Sequence, residues 1–419
     1  MPKIFPYLII TFINMAGFAV VFPVMPEMLS YFESAAPNSG RWLSSLAAQL
    51  LPANAGSGMR LVFLGGMISL GYSLTAYFAA PLWGRLSDRY GRRPVIFVST
   101  AGMLVATSLW IFFPGVGMLF VTRLFAGCFS GSLGVVSAAI SDVSSEEEKA
   151  TRMGYFGAAL GSGMLIGPVI GGLLSLIELP LWHRYSHLAI VTCALYGIEL
   201  LLNRLWMRET LKERARITEP LQFLPAIFSV PGHDFKLLWF IYAIYCVVFS
   251  AIDFVMPYFY RLEFFLAPHS IALVFLLIGV VLVFGQAVFS GRAMNKWGYK
   301  TVLRASLVAM PLPLVIMGFT PPHFFLSLVG IIPIALCGSF FMPAVPGLGT
   351  ALAPNEQKGY YMGLLDAARA LAFALGPVCG AILYFFLGAK VGLLVMGALI
   401  LAAAVLAHML HRGKASSTV

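Results

Sequence analysis

Long apolar runs dominate this sequence, and each is about twenty residues long, enough to cross a bilayer as a helix. Only 11% of the residues are charged and 60% are hydrophobic, whereas a soluble domain carries about 25% charged residues. Lipid is therefore the expected solvent. Twelve predicted spans cover residues 7–29, 61–83, 94–113, 118–140, 154–176, 188–206, 237–260, 271–289, 302–319, 325–345, 361–386 and 391–410.

The basic residues lie mostly in the short connections between the spans. Twenty of the 27 Lys and Arg residues fall on the side of the N-terminus and five on the opposite side, while Arg123 and Arg369 lie inside spans. This asymmetry predicts that both termini are cytoplasmic. It also accounts for the net charge of +10, so we expect contacts with anionic lipid and no nucleic-acid partner.

The second half of the chain repeats the first. Residues 84–93 match residues 291–300, and Gly167-Pro168 matches Gly376-Pro377 at nearly the same offset. Two matches at a shared offset predict an all-α membrane protein of twelve transmembrane helices in two pseudo-symmetric six-helix bundles. The predicted domains are a first bundle at 1–206, a cytoplasmic linker at 207–236 and a second bundle at 237–419.

The segment GRLSDRYGRRP at residues 84–94 resembles the loop between helices two and three of the major facilitator superfamily. The resemblance extends over essentially the whole chain and is greatest to the proton-coupled drug antiporters, which include the tetracycline-efflux pumps. It implies a cytoplasmic gate that stabilises the outward-open state, in which Asp88 faces the start of helix eleven and Arg92 meets Asp142. A simpler interpretation is a basic anchor that only fixes topology. The predicted gate residues are Gly84, Asp88, Arg89, Gly91, Arg92, Asp142 and Arg152.

Span five contains Gly163, Gly167, Pro168 and Gly171, which resemble the antiporter motif of exporters in this superfamily. The proline is expected to bend the helix, and the glycines are expected to let a neighbour pack closely. Generic packing of small residues is the alternative interpretation.

Ionisable residues inside spans are costly in lipid and mark candidate transport sites. Arg123 in span four resembles the buried arginine that the family ties to proton coupling, although it could instead reach the outer surface. Asp253 and Asp366 are candidate proton carriers, with an interfacial position and an ion pair to Arg369 as the respective alternatives. The predicted cavity and coupling residues are Arg123, Asp253, Asp366, Arg369, Gln286, Asn14, Tyr245 and Phe249.

The sequence also departs from the tetracycline pumps at two acidic positions. Their helix-one acid falls on Asn14 and their helix-nine acid on Met310. Neither residue here can carry a proton, which argues against tetracycline–metal chelates as the substrate.

No pattern typical of an enzyme, a cofactor or a metal site occurs. The five cysteines lie in spans without CxxC spacing, and a zinc pair at His183 and His187 is disfavoured. We expect no cofactor, with a proton gradient as the driving force.

The sequence therefore predicts a monomeric secondary transporter, in a bacterial inner membrane, that exports a small amphipathic compound in exchange for protons. Alternatives on the same fold are an importer or uniporter of a metabolite and a lipid flippase. A receptor without flux is supported only by the long connection at 33–60, where a surface helix is predicted at 42–51.

Overall fold

The structure is a computed structural model that describes residues 4–36, 38–50, 56–177, 179, 182–211, 232–319, 323–353 and 358–410. Within these ranges the chain is almost entirely helical and contains no strand. Eleven helical segments among the described residues are long and apolar enough to cross a membrane. The last of them contains two spans, separated at Gly388, where a φ of 74° interrupts the helix. The prediction of an all-α membrane protein is confirmed.

The spanning helices are numbered in chain order. Helices one to six are Phe5–Ala35, Ser57–Tyr90, Arg92–Phe112, Val116–Asp142, Glu146–Leu174 and Ser186–Trp206, and helices seven to ten are His233–Glu263, Pro268–Trp297, Tyr299–Phe319 and Phe324–Leu352. Helices eleven and twelve share Lys358–Met409. A surface helix, Arg41–Leu50, lies in the connection between helices one and two.

The predicted loop between helices two and three is mostly helical. Helix two continues to Tyr90, and only Gly91, with a φ of 106°, separates it from helix three. A positive φ of this size strains any residue other than glycine, so Gly91 determines where the chain turns. Most of the predicted linker, residues 212–231, lies outside the described residues.

Glycines of helix five pack directly against the backbone of helix one. A β-carbon at Gly163 would lie 2.5 Å from the carbonyl oxygen of Phe12, and one at Gly167 would lie 2.5 Å from that of Ala16. Gly171 is still closer to the carbonyl of Val20. Because glycines and carbonyls both recur every four residues, they form one continuous seam between the helices.

The same seam recurs in the second half, between helices seven and eleven. A β-carbon at Gly376 would lie 2.5 Å from Cβ of Ser250, and one at Gly380 would lie 2.8 Å from the carbonyl oxygen of Ala251. The repeated Gly-Pro sequence therefore corresponds to a repeated packing contact, as two pseudo-symmetric bundles require.

The two halves meet closely at the end of the membrane opposite the chain ends. There Gly65 of helix two lies against Tyr258, and Gly66 lies against Ala381 of helix eleven. An ion pair of 3.9 Å also joins Glu27 of helix one to Arg261 of helix seven. These contacts close that side of the interface between the bundles.

The helix-one–helix-five seam predicts a position-specific effect of adding one methyl group. Gly167→Ala must push the helices apart, which costs about 1–3 kcal/mol and should lower the melting temperature of the purified protein.

Gly161→Ala is the matched control, because no atom lies within 4 Å of its added β-carbon in the same helix. It should leave the melting temperature unchanged or raise it, since alanine favours helix by about 1 kcal/mol over glycine. Equal melting temperatures for the two variants would contradict the proposed seam.

Candidate functional site

A cavity of about 540 Å³ lies between the two halves, lined by residues from the middle parts of the spanning helices. Helices one, two and four contribute most of its wall from the first half, with Met103 of helix three and Met164 of helix five, and helices seven and eleven contribute from the second. The wall is mainly apolar and aromatic, with Phe18, Tyr72 and Phe254 among its rings. Such a cavity falls within the range of about 300–1,000 Å³ that is usual for small-molecule sites.

The cavity is accessible from the side that carries the chain ends. Its wall residues Ala80, Ala367 and Ala370 are exposed, whereas Met25 and Tyr258 at the other end are buried. The closed contacts described above seal that other end. The predicted gate was expected to stabilise the outward-open state, whereas this conformation opens toward the gate.

Arg123 of helix four lies in the cavity wall. Its guanidinium carbon is 6.0 Å from the ring centre of Phe18 on helix one, a distance at the limit of cation–π attraction. The phenols of Tyr72 and Tyr196 are close enough to act on its charge. No carboxylate pairs with Arg123 within the described ranges, so its charge is available to a molecule in the cavity.

Asp253 of helix seven lies in the same wall, on the opposite half. The carboxylate is half-buried and has no hydrogen bond or ion pair to any residue that the structure describes. A carboxylate without a partner in a mainly apolar cavity is a natural place for a proton or a cation. The cavity thus brings together one basic and one acidic side chain from different bundles.

Other predicted cavity residues lie elsewhere. Tyr245 is stacked at 3.8 Å on Phe341 inside the second-half core and does not line the cavity. Phe249 contacts a wall residue, Phe373, but stands behind it. These rings were expected in the wall because they share a helix face with Asp253, but the neighbouring helix ten covers that face.

Two further polar candidates also lie outside the wall. Gln286 is exposed in a π-helical turn, Gly285–Ser290, of helix eight, and helix eight contributes no residue to the cavity wall. Arg369 is half-buried and likewise does not line the cavity. The side chain of Asp366 lies outside the described residues, so its role stays a prediction.

Asn14 lines the cavity and also contacts an acid that the sequence analysis missed. Its Nδ2 donates to Glu199 Oε2 at 3.2 Å, and the hydroxyl of Thr100 donates to Glu199 Oε1 at 2.7 Å. Glu199 is fully buried. A lone acid within span six was a sufficient signal, since acids in apolar spans are rare. Met310, the other departure from the tetracycline pumps, is buried in the second-half core.

At the side of the chain ends, the predicted gate forms a compact charge cluster. Arg92 lies 2.6 Å from Asp88 and 3.0 Å from Asp142, so the expected meeting of Arg92 and Asp142 is present. The described contact of Asp88 is with Arg92, one helical turn away, rather than with helix eleven. Arg152 donates to the carbonyl of Val143 at 2.7 Å beside the end of helix four.

The remaining gate residues differ in how much they contribute to this cluster. Arg89 is exposed and lies over the ring of Tyr90. Gly84 lies within helix two, and an added β-carbon would meet no atom within 4 Å. Gly84 therefore makes no close helix contact, and of the two gate glycines only Gly91 has a conformational requirement.

Glu209, directly after helix six, completes the cluster and was also missed. Its carboxylate accepts hydrogen bonds from the backbone N–H groups of Arg92, at 2.9 Å, and Arg93, at 3.2 Å. An acid is favoured at a helix N-terminus because the free N–H groups carry partial positive charge. Burial raises the pKa of Glu209, but backbone hydrogen bonds from Leu211, Arg92, Arg93 and Thr210 outweigh it, so the pKa lies below its ordinary value.

The second copy of the gate sequence keeps the turn but lacks the acids. Gly298 has a φ of 79°, yet nothing lies within 4 Å of an added β-carbon there, whereas Gly91 touches Glu209. Asn295 and Tyr299 replace Asp88 and Arg92. Among the residues that the structure describes, the charge cluster therefore occurs in the first half.

The structure shows what holds the two histidines considered for zinc. His183 Nε2 lies 2.9 Å from the carbonyl oxygen of Trp110, and His187 Nε2 lies 2.9 Å from that of Leu174. Among the described residues, no group of three or more His, Cys, Asp or Glu side chains could hold a metal ion.

The Glu209 contacts predict a pH-dependent contribution to stability. Because the folded-state pKa lies below the unfolded value of about 4.3, the stabilisation is complete above that pH and is lost as the pH falls through the folded pKa. Glu209→Gln should lower the free energy of unfolding at pH 7 by about 1 kcal/mol after allowing for solvent screening, and the melting temperature should fall with it. The difference from wild type should shrink below about pH 4.

Glu148→Gln serves as the control, because Glu148 pairs with Arg152 only one turn away in its own helix. Its effect should be smaller. A Glu209→Gln deficit that is the same at pH 7 and in acid would contradict the assigned contacts.

Comparisons with known proteins agree with this architecture. The Major Facilitator Superfamily profile matches residues 7–264 and 238–418. The tetracycline resistance protein, class H, of Pasteurella multocida is 27% identical over 416 residues, covering 97% of this chain and 96% of the relative. Major facilitator superfamily domain-containing protein 10 of Homo sapiens is 25% identical over 395 residues, covering 90% and 86%.

Solved structures share the fold at lower identity. The human organic anion transporter MFSD10 (TETRAN) has a TM-score of 0.78 at 21% identity, covering 97% of this chain and 99% of that one. The D-xylose-proton symporter has a TM-score of 0.75 at 13% identity, with 99% of each chain covered. The resemblance inferred from residues 84–94 is thus confirmed, and this integral, multi-pass membrane protein belongs to the Major Facilitator Superfamily as one of its transporters.

Proposed function

We propose that this chain is a proton-coupled antiporter that exports a small amphipathic compound by alternating access. The observation that carries the proposal is that Arg123 from the first bundle and Asp253 from the second both lie in the wall of one cavity. Rocking one bundle against the other would change the separation and hydration of these two charges.

Proton coupling follows from the environment of Asp253. An unpaired carboxylate in a mainly apolar cavity costs free energy when ionised, whereas a proton or a cationic substrate removes that cost. Substrate and proton would then compete for one group that faces each side of the membrane in turn. Asp366 is proposed as a second candidate acid from its position in helix eleven.

Export as the direction is supported by two observations. The glycine seam of helix five carries the residues that resemble the exporters' motif, and the 27% identical relative of Pasteurella multocida is a tetracycline resistance protein. Asn14 and Met310 stand where the tetracycline pumps have acids, so the proposed substrate is another amphipathic compound. We further propose a monomer in a bacterial inner membrane, with both termini in the cytoplasm and no cofactor.

An organic anion is a second candidate substrate. Arg123 is the basic residue in the cavity wall, with Phe18 and Tyr72 nearby. A guanidinium beside aromatic rings suits a carboxylate or sulfonate attached to a ring. The human MFSD10 relative is named as an organic anion transporter, and the fold it shares with this chain accommodates this alternative.

Coupling can be tested in proteoliposomes with an imposed pH gradient, using ethidium and fluorescein sulfonate as probes. Asp253→Asn should reduce pH-driven dye movement about tenfold, because a neutral amide cannot carry the proton. Asp234→Asn is the matched control, since Asp234 lies in the first turn of the same helix. If Asp253→Asn and Asp366→Asn both transport at the wild-type rate, the coupling scheme is wrong.

Substrate charge can be tested by equilibrium binding of the same two dyes. Arg123→Gln should weaken fluorescein sulfonate binding about tenfold and leave ethidium binding unchanged or tighter, because the cavity loses its positive charge. Arg184→Gln is the control, as Arg184 lies outside the cavity beside Glu27. Equal loss for both dyes would indicate a packing role and would reject the organic-anion candidate.

A further inference from the structure

Glu199 is the acid in this structure that the proposed mechanism leaves unused. It lies in helix six with no exposed surface. Its carboxylate accepts a hydrogen bond from the hydroxyl of Thr100 on helix three. It also accepts from Nδ2 of Asn14 on helix one, which lies 3.2 Å from Oε2 and 3.4 Å from Oε1. Both donors are neutral, so neither balances a negative charge.

No cation compensates for Glu199 among the described residues that pack around it. Helix three presents Thr100 and helix one presents Asn14, while helix four presents Ser132, whose hydroxyl Asn14 also contacts at 3.2 Å. On its own helix the titratable neighbour is Tyr196, which is close enough to interact with both Glu199 and Arg123. No described arginine, lysine or second acid acts on the carboxylate.

If water does not reach Glu199 during the conformational cycle, its carboxylate is expected to bind a proton at some stage. Ionised carboxylates are rarely buried without a paired cation, because hydrogen bonds from neutral donors do not replace lost hydration. Thr100 and Asn14 can support the ionised form transiently. Protonation removes the charge altogether and leaves a hydroxyl that needs an acceptor.

Asn14 can provide that acceptor because its amide has a donor end and an acceptor end. With Glu199 ionised, Nδ2 points at the carboxylate and at Ser132, as in the structure. With Glu199 protonated, rotation of the amide places Oδ1 there instead, and Nδ2 turns away. Asn14 also belongs to the cavity wall, so this rotation alters the polar groups that a bound molecule meets.

Helix four is interrupted beside this network. Its first segment ends at Cys128 and its second begins at Ser132. The carbonyl groups at the interruption are satisfied by side chains of other helices: Trp83 donates to Cys128, and Ser99 donates to Phe129. Because a helix bends most easily where its ladder of hydrogen bonds is broken, Ser132 stands at a point where movement of the bundle can open the site.

We infer that Glu199 is a proton-binding site of the first bundle and that Asn14 relays its protonation state to the cavity. The role of this site in transport rests on the proposed proton coupling, but proton binding at Glu199 can be tested without measuring transport. The first bundle would then contain a proton site in addition to the one proposed at Asp253 of the second bundle. Asn14 occupies the helix-one position where the tetracycline pumps have an acid, and here that position is a neutral amide in contact with the acid Glu199.

Infrared difference spectroscopy of the purified protein during a pH titration tests the inference. Wild type should show a carboxylic-acid C=O band that appears on acidification, and Glu199→Gln should lose one such component. Asp253→Asn is the matched control and should lose a different component while the Glu199 band remains. A titration unchanged by Glu199→Gln would overturn the inference.

Asn14→Ala provides a second variant that leaves the acid in place. The Glu199 band should persist and shift to higher frequency, because the protonated carboxyl loses its hydrogen-bond partner. An unshifted band would overturn the relay role of Asn14, even if Glu199→Gln proved unable to fold. Failure of the proposed function is a separate result: wild type would move neither dye in response to a pH gradient, whatever the infrared bands show.

Discussion

The free-energy cost of placing ionisable side chains in a low-dielectric membrane governs the arrangement of this protein. Arg123 and Asp253 avoid that cost by facing a shared cavity between the bundles. Glu199 has no such access and depends on hydroxyl and amide donors from neighbouring helices. Helices one, four and seven therefore each place a polar side chain in the cavity wall.

Close packing within each bundle holds helices one and seven in place. Glycines of helices five and eleven lie directly against helices one and seven, respectively, so each pair is closely packed. The interface between the bundles is closed at one end by Tyr258 and Ala381 and is open at the other. Alternating access needs this combination of stiff bundles and a separable interface.

The two halves share their packing but not their charges. Gly91 and Gly298 both adopt a positive φ, yet among the described residues acids surround only the first turn. Arg93 and Lys300, at equivalent positions, both bond carbonyl groups at the end of the last helix of their own bundle. The repeat therefore preserves features that every bundle needs, whereas the charge cluster of Arg92, Asp142 and Glu209 distinguishes one bundle from the other.

The sequence by itself determined the solvent, the number of spans, the repeat and the family, because these depend on local patterns: apolar length, glycine spacing and a short charged motif. It also indicated Arg123 and Asp253, since charge inside an apolar run stands out without any knowledge of packing. Only the tertiary structure decided which polar groups meet. Tyr245 and Phe249 share a helix face with Asp253, but helix ten covers them, while Glu199 reaches Asn14 across 185 residues of chain. Helix rotation and tilt depend on contacts between distant segments, and a single helix sequence does not specify them.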